Sequence, residues 1–202
     1  EPTPEPTEEP TPEPTEEPAM AMSDFSSDES GLALQYPEGW FTEELFGLAA
    51  FATNEQFLDD GPESGDEGAV VLAVPFAQEE ITSDDPAELV AVATEQFPVG
   101  EVESMGDVVE GTAVNGASTA YALAEGISDS GETPLTVFYG VIVDGEYAAA
   151  LIGATPTEGS EEYLPTFVAM LASVQLREPL LPELDDDVSI ATDTLIFYGD
   201  TL

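Results

Sequence analysis

The pattern of apolar and polar residues predicts a run of β-strands in the first half of the chain. Leu32, Leu34 and Tyr36 alternate with small or polar residues, which is the period of a strand that buries one face. Residues 47–53 and 69–76 are longer apolar runs of strand length, separated by an acidic stretch that contains glycine. These segments predict three strands.

Two dipeptides in the second half of the chain predict tight β-hairpins. Asn115-Gly116 and Asp144-Gly145 each accept the positive φ of a type I′ turn, whose twist matches that of paired strands. The runs that they join are residues 108–114 with 118–124, and residues 135–143 with 146–152. Four further strands are therefore expected.

Two amphipathic helices are predicted between and after these strands. Asp85 is a good N-cap, Pro86 occupies the first helical position, and Leu89, Ala93 and Phe97 fall on one face. The second helix begins near Ser160 and carries an apolar stripe of Leu164, Phe167, Val168, Leu171 and Val174. Strands and helices in this mixture predict an α+β domain.

The two ends of the chain differ in composition from the domain between them. Residues 1–8 (EPTPEPTE) are repeated letter for letter at 9–16, which predicts an extended, polyproline-like acidic stalk. We therefore divide the chain into a stalk with a polar bridge over residues 1–29, a folded domain over 30–176, and a C-terminal extension over 177–202.

The C-terminal extension is predicted to contain one more strand, residues 188–198. Its apolar residues crowd towards its end, where a strand with one face in solvent would alternate them, so both of its faces need to be covered. The candidate interaction residues of this strand are Val188, Ile190, Leu195, Ile196, Phe197 and Tyr198.

Charge excludes whole classes of function. The 202 residues include 44 Asp and Glu, a single cation, Arg177, and no His or Cys, for a net charge of −43. Binding to nucleic acid or to an anionic membrane surface needs Lys and Arg, so neither is expected. Without His, Cys or Lys the chain also lacks the usual nucleophile pairs and the usual ligands of zinc, haem and iron–sulfur clusters.

A carboxylate enzyme is the catalytic class that this composition leaves open. Asp129-Ser130-Gly131 matches the short motif of aspartic proteases, but it occurs once where a dyad needs two copies, and its Ser/Gly-rich setting favours a turn. Trp40, the single tryptophan, is expected to be a core anchor rather than a sugar-stacking residue. We therefore predict no catalytic residues and no enzyme activity.

Acidic clusters provide the candidate metal ligands. Asp185, Asp186 and Asp187 form one cluster, and Asp59 with Asp60 forms another, all offering the hard oxygen ligands that Ca²⁺ takes. Neither cluster has the spacing of an EF-hand loop, so the alternative is diffuse condensation of cations on acidic loops. No other cofactor is expected.

The turn Tyr36-Pro37-Glu38-Gly39-Trp40 and the order of the predicted elements resemble the PsbP-like family. The resemblance covers roughly residues 30–176. It implies an α+β fold with an antiparallel sheet of about six to seven strands and helices packed on its faces. It further implies a binding or assembly module rather than an enzyme, and a stalk similar to the linkers by which bacterial relatives hang from an upstream lipidated cysteine.

Two interpretations of function follow. The first is a non-catalytic extracellular or cell-surface module that acts by protein–protein contact at the end of its acidic stalk. The alternative is a self-assembling fibre subunit, in which the strand at residues 188–198 is donated to a neighbouring copy. A third class, a carboxylate hydrolase, is disfavoured because the second catalytic motif is missing. The charge favours a saline, acidic or calcium-containing medium outside the cytoplasm.

Overall fold

The computed structural model describes residues 21–45, 47–61, 67–77, 80–128 and 133–179. Its strands are β1 (Met22–Ser27), β2 (Leu32–Pro37), β3 (Phe41–Leu45), β4 (Leu48–Ala52), β5 (Val70–Pro75), β6 (Glu101–Met105), β7 (Val109–Thr112), β8 (Ser118–Ile127), β9 (Pro134–Asp144), β10 (Tyr147–Pro156) and β11 (Gln175–Leu176). Its helices are α1 (Gln56–Asp60), α2 (Pro86–Gln96) and α3 (Ser160–Ser173). None of the helices in this part of the chain is long and apolar enough to cross a membrane.

An antiparallel sheet of eight strands forms the centre of the domain. Its order is β3-β4-β5-β10-β9-β8-β6, and β7 pairs with β8 beside β6. Strands β1, β2 and β11 form a separate three-stranded sheet. The predicted α+β class with an antiparallel sheet is confirmed, and the sheet has one strand more than the largest number expected.

The central strands of the large sheet are buried on both faces. On one face, Phe138 and Ile142 pack under α3 and the small sheet, and we call this the α3 face. On the other, Tyr139 and Val141 pack under α2, and we call this the α2 face. Because each face is covered, the central strands β9 and β10 are almost continuously apolar rather than alternating.

The predicted helix starting at Asp85 is confirmed as α2. The Asp85 carboxylate accepts a hydrogen bond from the amide of Ala87 at 2.9 Å, Pro86 begins the helix, and Leu89 and Ala93 are fully buried. The second predicted helix is confirmed as α3 and buries Phe167, Met170 and Leu171.

Both predicted hairpins form, but their loop residues differ from the predicted ones. Asp144 pairs with Tyr147, so the two loop residues are Gly145 and Glu146 and not Asp144-Gly145. In the other hairpin the amide of Gly116 bonds to the carbonyl of Ala113, and Gly116 has φ +91°. These contacts define a three-residue loop with a glycine bulge. The turn therefore lies one residue earlier than the Asn115-Gly116 dipeptide indicated.

The small sheet holds a strand that periodicity did not predict. Residues 22–27, predicted as part of a polar bridge, form β1 and pair with β2 along its whole length. Phe25 anchors this strand edge-to-face on Phe51 of β4, with 5.2 Å between ring centroids. Arg177, the only cation in the sequence, pairs with Asp28 at 2.8 Å and so ties the β1–β2 turn to the chain after β11.

Tyr139 links α2 to the sheet through a buried hydroxyl. The amide of Val99 donates to this hydroxyl at 3.3 Å, and the hydroxyl donates to the carbonyl of Phe97 at 3.4 Å. Burial raises the pKa of Tyr139 above its usual 10, although the hydrogen bond from Val99 opposes the shift. In its neutral form, the Tyr139 hydroxyl therefore fixes the segment that connects α2 to β6.

We expect Tyr139→Phe to lower the free energy of unfolding by about 1–3 kcal/mol, because the amide of Val99 loses its partner. Since the folded pKa is raised, the stability that this hydroxyl provides is full below pH 10 and declines as pH rises above 10. Chemical denaturation at pH 8 and pH 10.5 measures both effects. Tyr121→Phe is the control; an equal loss in that variant would show that hydroxyl removal in general, and not this contact, is responsible.

Candidate functional site

A cleft of about 160 Å³ opens on the α3 face, between the N-terminal half of α3 and the sheet. Leu123 of β8 and Phe138 of β9 form its floor, and Leu164 and Phe167 of α3 form its wall. We call it the α3 cleft. Leu123 and Leu164 are only half-buried, whereas Phe138 and Phe167 are buried. The cleft is therefore an unfilled extension of the core that reaches the surface.

A series of aromatic rings supports the cleft from below. Tyr121 stacks on Phe138 at 5.0 Å, and Phe138 contacts Phe167 at 5.7 Å. Beyond them Tyr163 stacks on Phe167 at 6.5 Å, and Trp40 meets Tyr163 at 6.3 Å. These offset and edge-to-face contacts hold the rings in defined orientations. The apolar part of the cleft is therefore built on packed aromatic rings.

The polar end of the cleft is formed by Thr136, Thr155, Ser160 and Glu161. Three of these side chains hydrogen-bond within the chain. Thr155 donates to the carbonyl of Gly68 at 2.8 Å, Ser160 donates to a carbonyl at 3.0 Å, and Thr136 contacts another threonine hydroxyl at 3.4 Å. The Glu161 carboxylate lies in the exposed first turn of α3. The cleft thus offers an apolar floor with one carboxylate at its rim.

The sheet edge beside the cleft is exposed over its full length. Residues 101–112, which we call the acidic edge, comprise β6, a short connection and β7, and all of them are exposed. The following hairpin carries Val114 at its tip with 90% of its surface exposed, and the amide of Val114 bonds to the carbonyl of Ala172 at the end of α3. Cleft and edge therefore adjoin, because β8 contributes to both.

The residues predicted to bind metal or a partner strand lie outside the part of the chain whose side chains the structure describes. Asp59 and Asp60 are the last two residues of α1, and their side chains lie outside the described residues. Residues 185–187, the six interaction residues of the strand at 188–198 and residues 129–131 also lie outside them. Within the described ranges no group of three or more His, Cys, Asp or Glu is arranged to hold a metal ion. These assignments stay predictions.

The prediction that Trp40 is a core anchor is confirmed in part, because Trp40 packs against the buried cluster of the α3 face without being fully buried itself. Its side chain is half-buried at the margin of the α3 face, where its main ring partner is Tyr163. The turn before it forms as expected: the amide of Trp40 bonds to the carbonyl of Pro37 at 3.3 Å, and Gly39 has φ +89°. Tyr36 in turn packs on Phe51, with 5.2 Å between ring centroids.

No protein-family model matches the sequence, and no curated protein matches it. Solved structures do match. The cyanobacterial PsbP protein CyanoP of Synechocystis superposes with a TM-score of 0.51 over 82% of this chain and 98% of its own, at 11% identity. LpqN of Mycobacterium tuberculosis, described as involved in cell envelope biogenesis, gives 0.52 over 79% and 92%, at 12% identity. This chain has the PsbP-like fold.

The Ran-binding protein Mog1p of Saccharomyces cerevisiae is also similar, with a TM-score of 0.49, 12% identity, and coverage of 78% of this chain and 96% of its own. The resemblance to PsbP-like proteins indicated by the Tyr36–Trp40 turn and the element order is therefore confirmed for the fold. At these identities the superpositions establish the PsbP-like architecture alone. The function has to be argued from this chain's own surfaces.

Proposed function

We propose that this PsbP-like domain is a non-catalytic module that binds a protein partner through the α3 cleft. The observation that carries the proposal is the cleft itself, whose volume of about 160 Å³ lies below the 300–1,000 Å³ typical of small-molecule pockets. A space of this size suits one large apolar side chain inserted by a partner. Central pockets that receive a single anchor side chain are common where protein interfaces concentrate their binding energy.

The composition supports a binding role over a catalytic one. The chain has no His, Cys or Lys, so nucleophilic and general-base chemistry would have to come from carboxylates alone. Among the described residues that line the cleft, Glu161 is the one carboxylate, whereas glycosidases and aspartic proteases need a pair. The hydroxyl groups in the cleft form hydrogen bonds within the chain, as expected for side chains with a structural role in the cleft wall.

We place the module outside the cytoplasm, at a cell surface or in the secreted medium, at the end of the acidic stalk of residues 1–18. A net charge of −43 is best accommodated where salt or divalent cations screen it. LpqN, which shares the fold, is described as involved in cell envelope biogenesis. Anchoring through an upstream lipidated cysteine belongs to the same proposal.

We expect Leu164→Glu to weaken binding to the native partner by at least about tenfold, which corresponds to roughly 1.4 kcal/mol. The substitution places a charge in the apolar wall of the cleft. Phe41→Glu is the matched control, since Phe41 is 44% exposed on β3 at the opposite edge of the sheet. Circular dichroism first establishes that both variants fold, and partner binding is then measured by surface plasmon resonance.

The two variants separate the proposal from general effects of added charge. If Phe41→Glu weakens binding as much as Leu164→Glu, the added charge and not the cleft is responsible. If neither substitution changes the affinity, the partner binds elsewhere and the proposed role of the cleft is wrong.

A further inference from the structure

The acidic edge ends the large sheet on the side of β8. In the described part of the chain, β6 pairs only with residues 124–127 of β8 and β7 only with residues 118–121. The outer side of both strands therefore meets no described strand. Such an edge presents a row of backbone amides and carbonyls on which an extended segment of another chain can pair.

The acidic edge also carries more exposed apolar surface than a solvated strand requires. Val102, Met105, Val108 and Val109 are each between 36% and 45% exposed. Directly opposed residues of an antiparallel pair point to the same face, so Met105, opposite Ala124, lies on the α2 face. Val109, opposite Tyr121, lies on the α3 face. An added strand would thus find apolar side chains on both faces of the sheet.

The negative charge of the acidic edge favours a positively charged binding partner. Four carboxylates lie within twelve residues of the chain, on Glu101, Glu103, Asp107 and Glu110. The only cation of the whole sequence, Arg177, pairs with Asp28 on the small sheet and so does not neutralise them. A second copy of this edge would bring like charges into register, and the chain's own tail, with its three consecutive aspartates at 185–187, would do the same.

The opposite edge of the sheet is less suited to the same role. Among the β3 side chains that the structure describes, Phe41 is the one large exposed apolar residue, and the carboxylate of Glu44 accepts a hydrogen bond from the hydroxyl of Ser27 on the small sheet. The small sheet therefore contacts the β3 edge. On the acidic edge, four carboxylates and four exposed apolar side chains occur together with a strand side that meets no other described strand.

We infer that the acidic edge is a strand-addition site for an extended cationic segment of the partner, one in which Lys or Arg alternates with apolar residues. This inference deepens the proposed function and rests on it: the α3 cleft receives an apolar anchor, and the adjoining edge pairs with the partner's backbone. Gly126 allows this edge to form, because a Cβ at that position would collide with the carbonyl of Glu101 on β6. The carboxylates keep two copies of the module apart and attract the cationic strand.

The probe that tests the inference is a ten-residue peptide of alternating Lys and Val, added to the full-length protein at pH 7 and low salt. We expect saturable binding by fluorescence anisotropy and amide chemical-shift changes confined to residues 101–112 and their β8 partners. A Glu/Val peptide of the same length should not bind. A Lys/Val peptide N-methylated at alternate residues keeps its charge but cannot complete the backbone ladder, so it should bind at least tenfold more weakly.

Variants of the protein provide the matched controls. Glu101→Gln/Glu103→Gln should weaken binding of the Lys/Val peptide by about threefold to tenfold, the range for two exposed charge pairs. Glu38→Gln/Glu55→Gln removes two exposed charges elsewhere and should change the affinity less than twofold. Leu164→Glu should not weaken binding of the Lys/Val peptide, so that failure of the edge and failure of the cleft are separately visible.

Three results would overturn the inference. Equal binding of the N-methylated and unmodified peptides would mean charge attraction without strand addition. Chemical-shift changes on β3, or changes spread over the whole acidic surface, would show that the peptide does not bind specifically at the acidic edge. Concentration-dependent dimerisation that shifts residues 101–112 without peptide would make a second copy the occupant, in spite of the repulsion.

Discussion

Phe51→Ala should lower the free energy of unfolding by about 3–5 kcal/mol, the range for truncating a large buried aromatic side chain. Phe51 lies on β4 with no exposed surface and receives both Phe25 of β1 and Tyr36 of β2, each at 5.2 Å between ring centroids. The ring therefore joins the small sheet to the large one. Its removal leaves a cavity between two layers that cannot close without shifting the small sheet.

Denaturant unfolding of the full-length protein at fixed salt measures this loss. Phe41→Ala on the neighbouring strand is the control, because 44% of Phe41 is already exposed and its truncation should cost about 1 kcal/mol or less. A Phe51 variant as stable as the control would contradict the packing of the small sheet on β4. Since Phe51 does not line the α3 cleft, the variant also separates stability from binding.

The second large effect is that of salt. We expect the melting temperature to rise by about 10 °C between 10 mM and 1 M NaCl, which corresponds to roughly 3–5 kcal/mol in a domain of this size. Folding brings carboxylates together, and two of them about 10 Å apart repel by about 0.4 kcal/mol in water before screening. With a net charge of −43, many such pairs contribute.

Calcium provides the comparison. If the aspartates at 59–60 or 185–187 form a specific site, CaCl₂ should stabilise the protein more than NaCl at the same ionic strength. If the melting temperature rises equally with CaCl₂ and NaCl at the same ionic strength, cations condense diffusely on the acidic loops and there is no specific calcium site. A melting temperature that does not respond to either salt would contradict the electrostatic account and, with it, the reason for a screening medium.

Elements with a strong local signal were predictable from the sequence. The N-cap at Asp85, the stripe of α3 and the two hairpin dipeptides each specify structure within a few residues. Strands β1, β3 and β6 carry no such signal: their sequences are MSDFSS, FTEEL and EVESM, in which charged and small residues interrupt the alternation. These segments become strands because they pair with β2, β4 and β8, and such pairing cannot be seen in the pattern of a single segment.

The candidate site was not predictable for a related reason. Leu164 and Phe167 belong to a stripe that periodicity assigns to the core, and nothing in that stripe distinguishes Leu164 and Val168, which stay half-exposed, from the buried residues. The cleft exists because α3 crosses the sheet without covering Leu123, a matter of packing geometry. For the adjoining edge the sequence predicted a strand at 108–114, but it gave no indication that residues 101–105 extend that edge as β6.

The most direct test of a partner-binding α3 cleft is site-specific photo-crosslinking with benzoylphenylalanine placed at Leu123, and separately at Phe41, in cells that make the protein. We predict one discrete crosslinked protein from position 123 and none from position 41, with the product from position 123 lost in the Leu164→Glu background. Equal products from both positions, or a product from position 41 alone, would contradict the account.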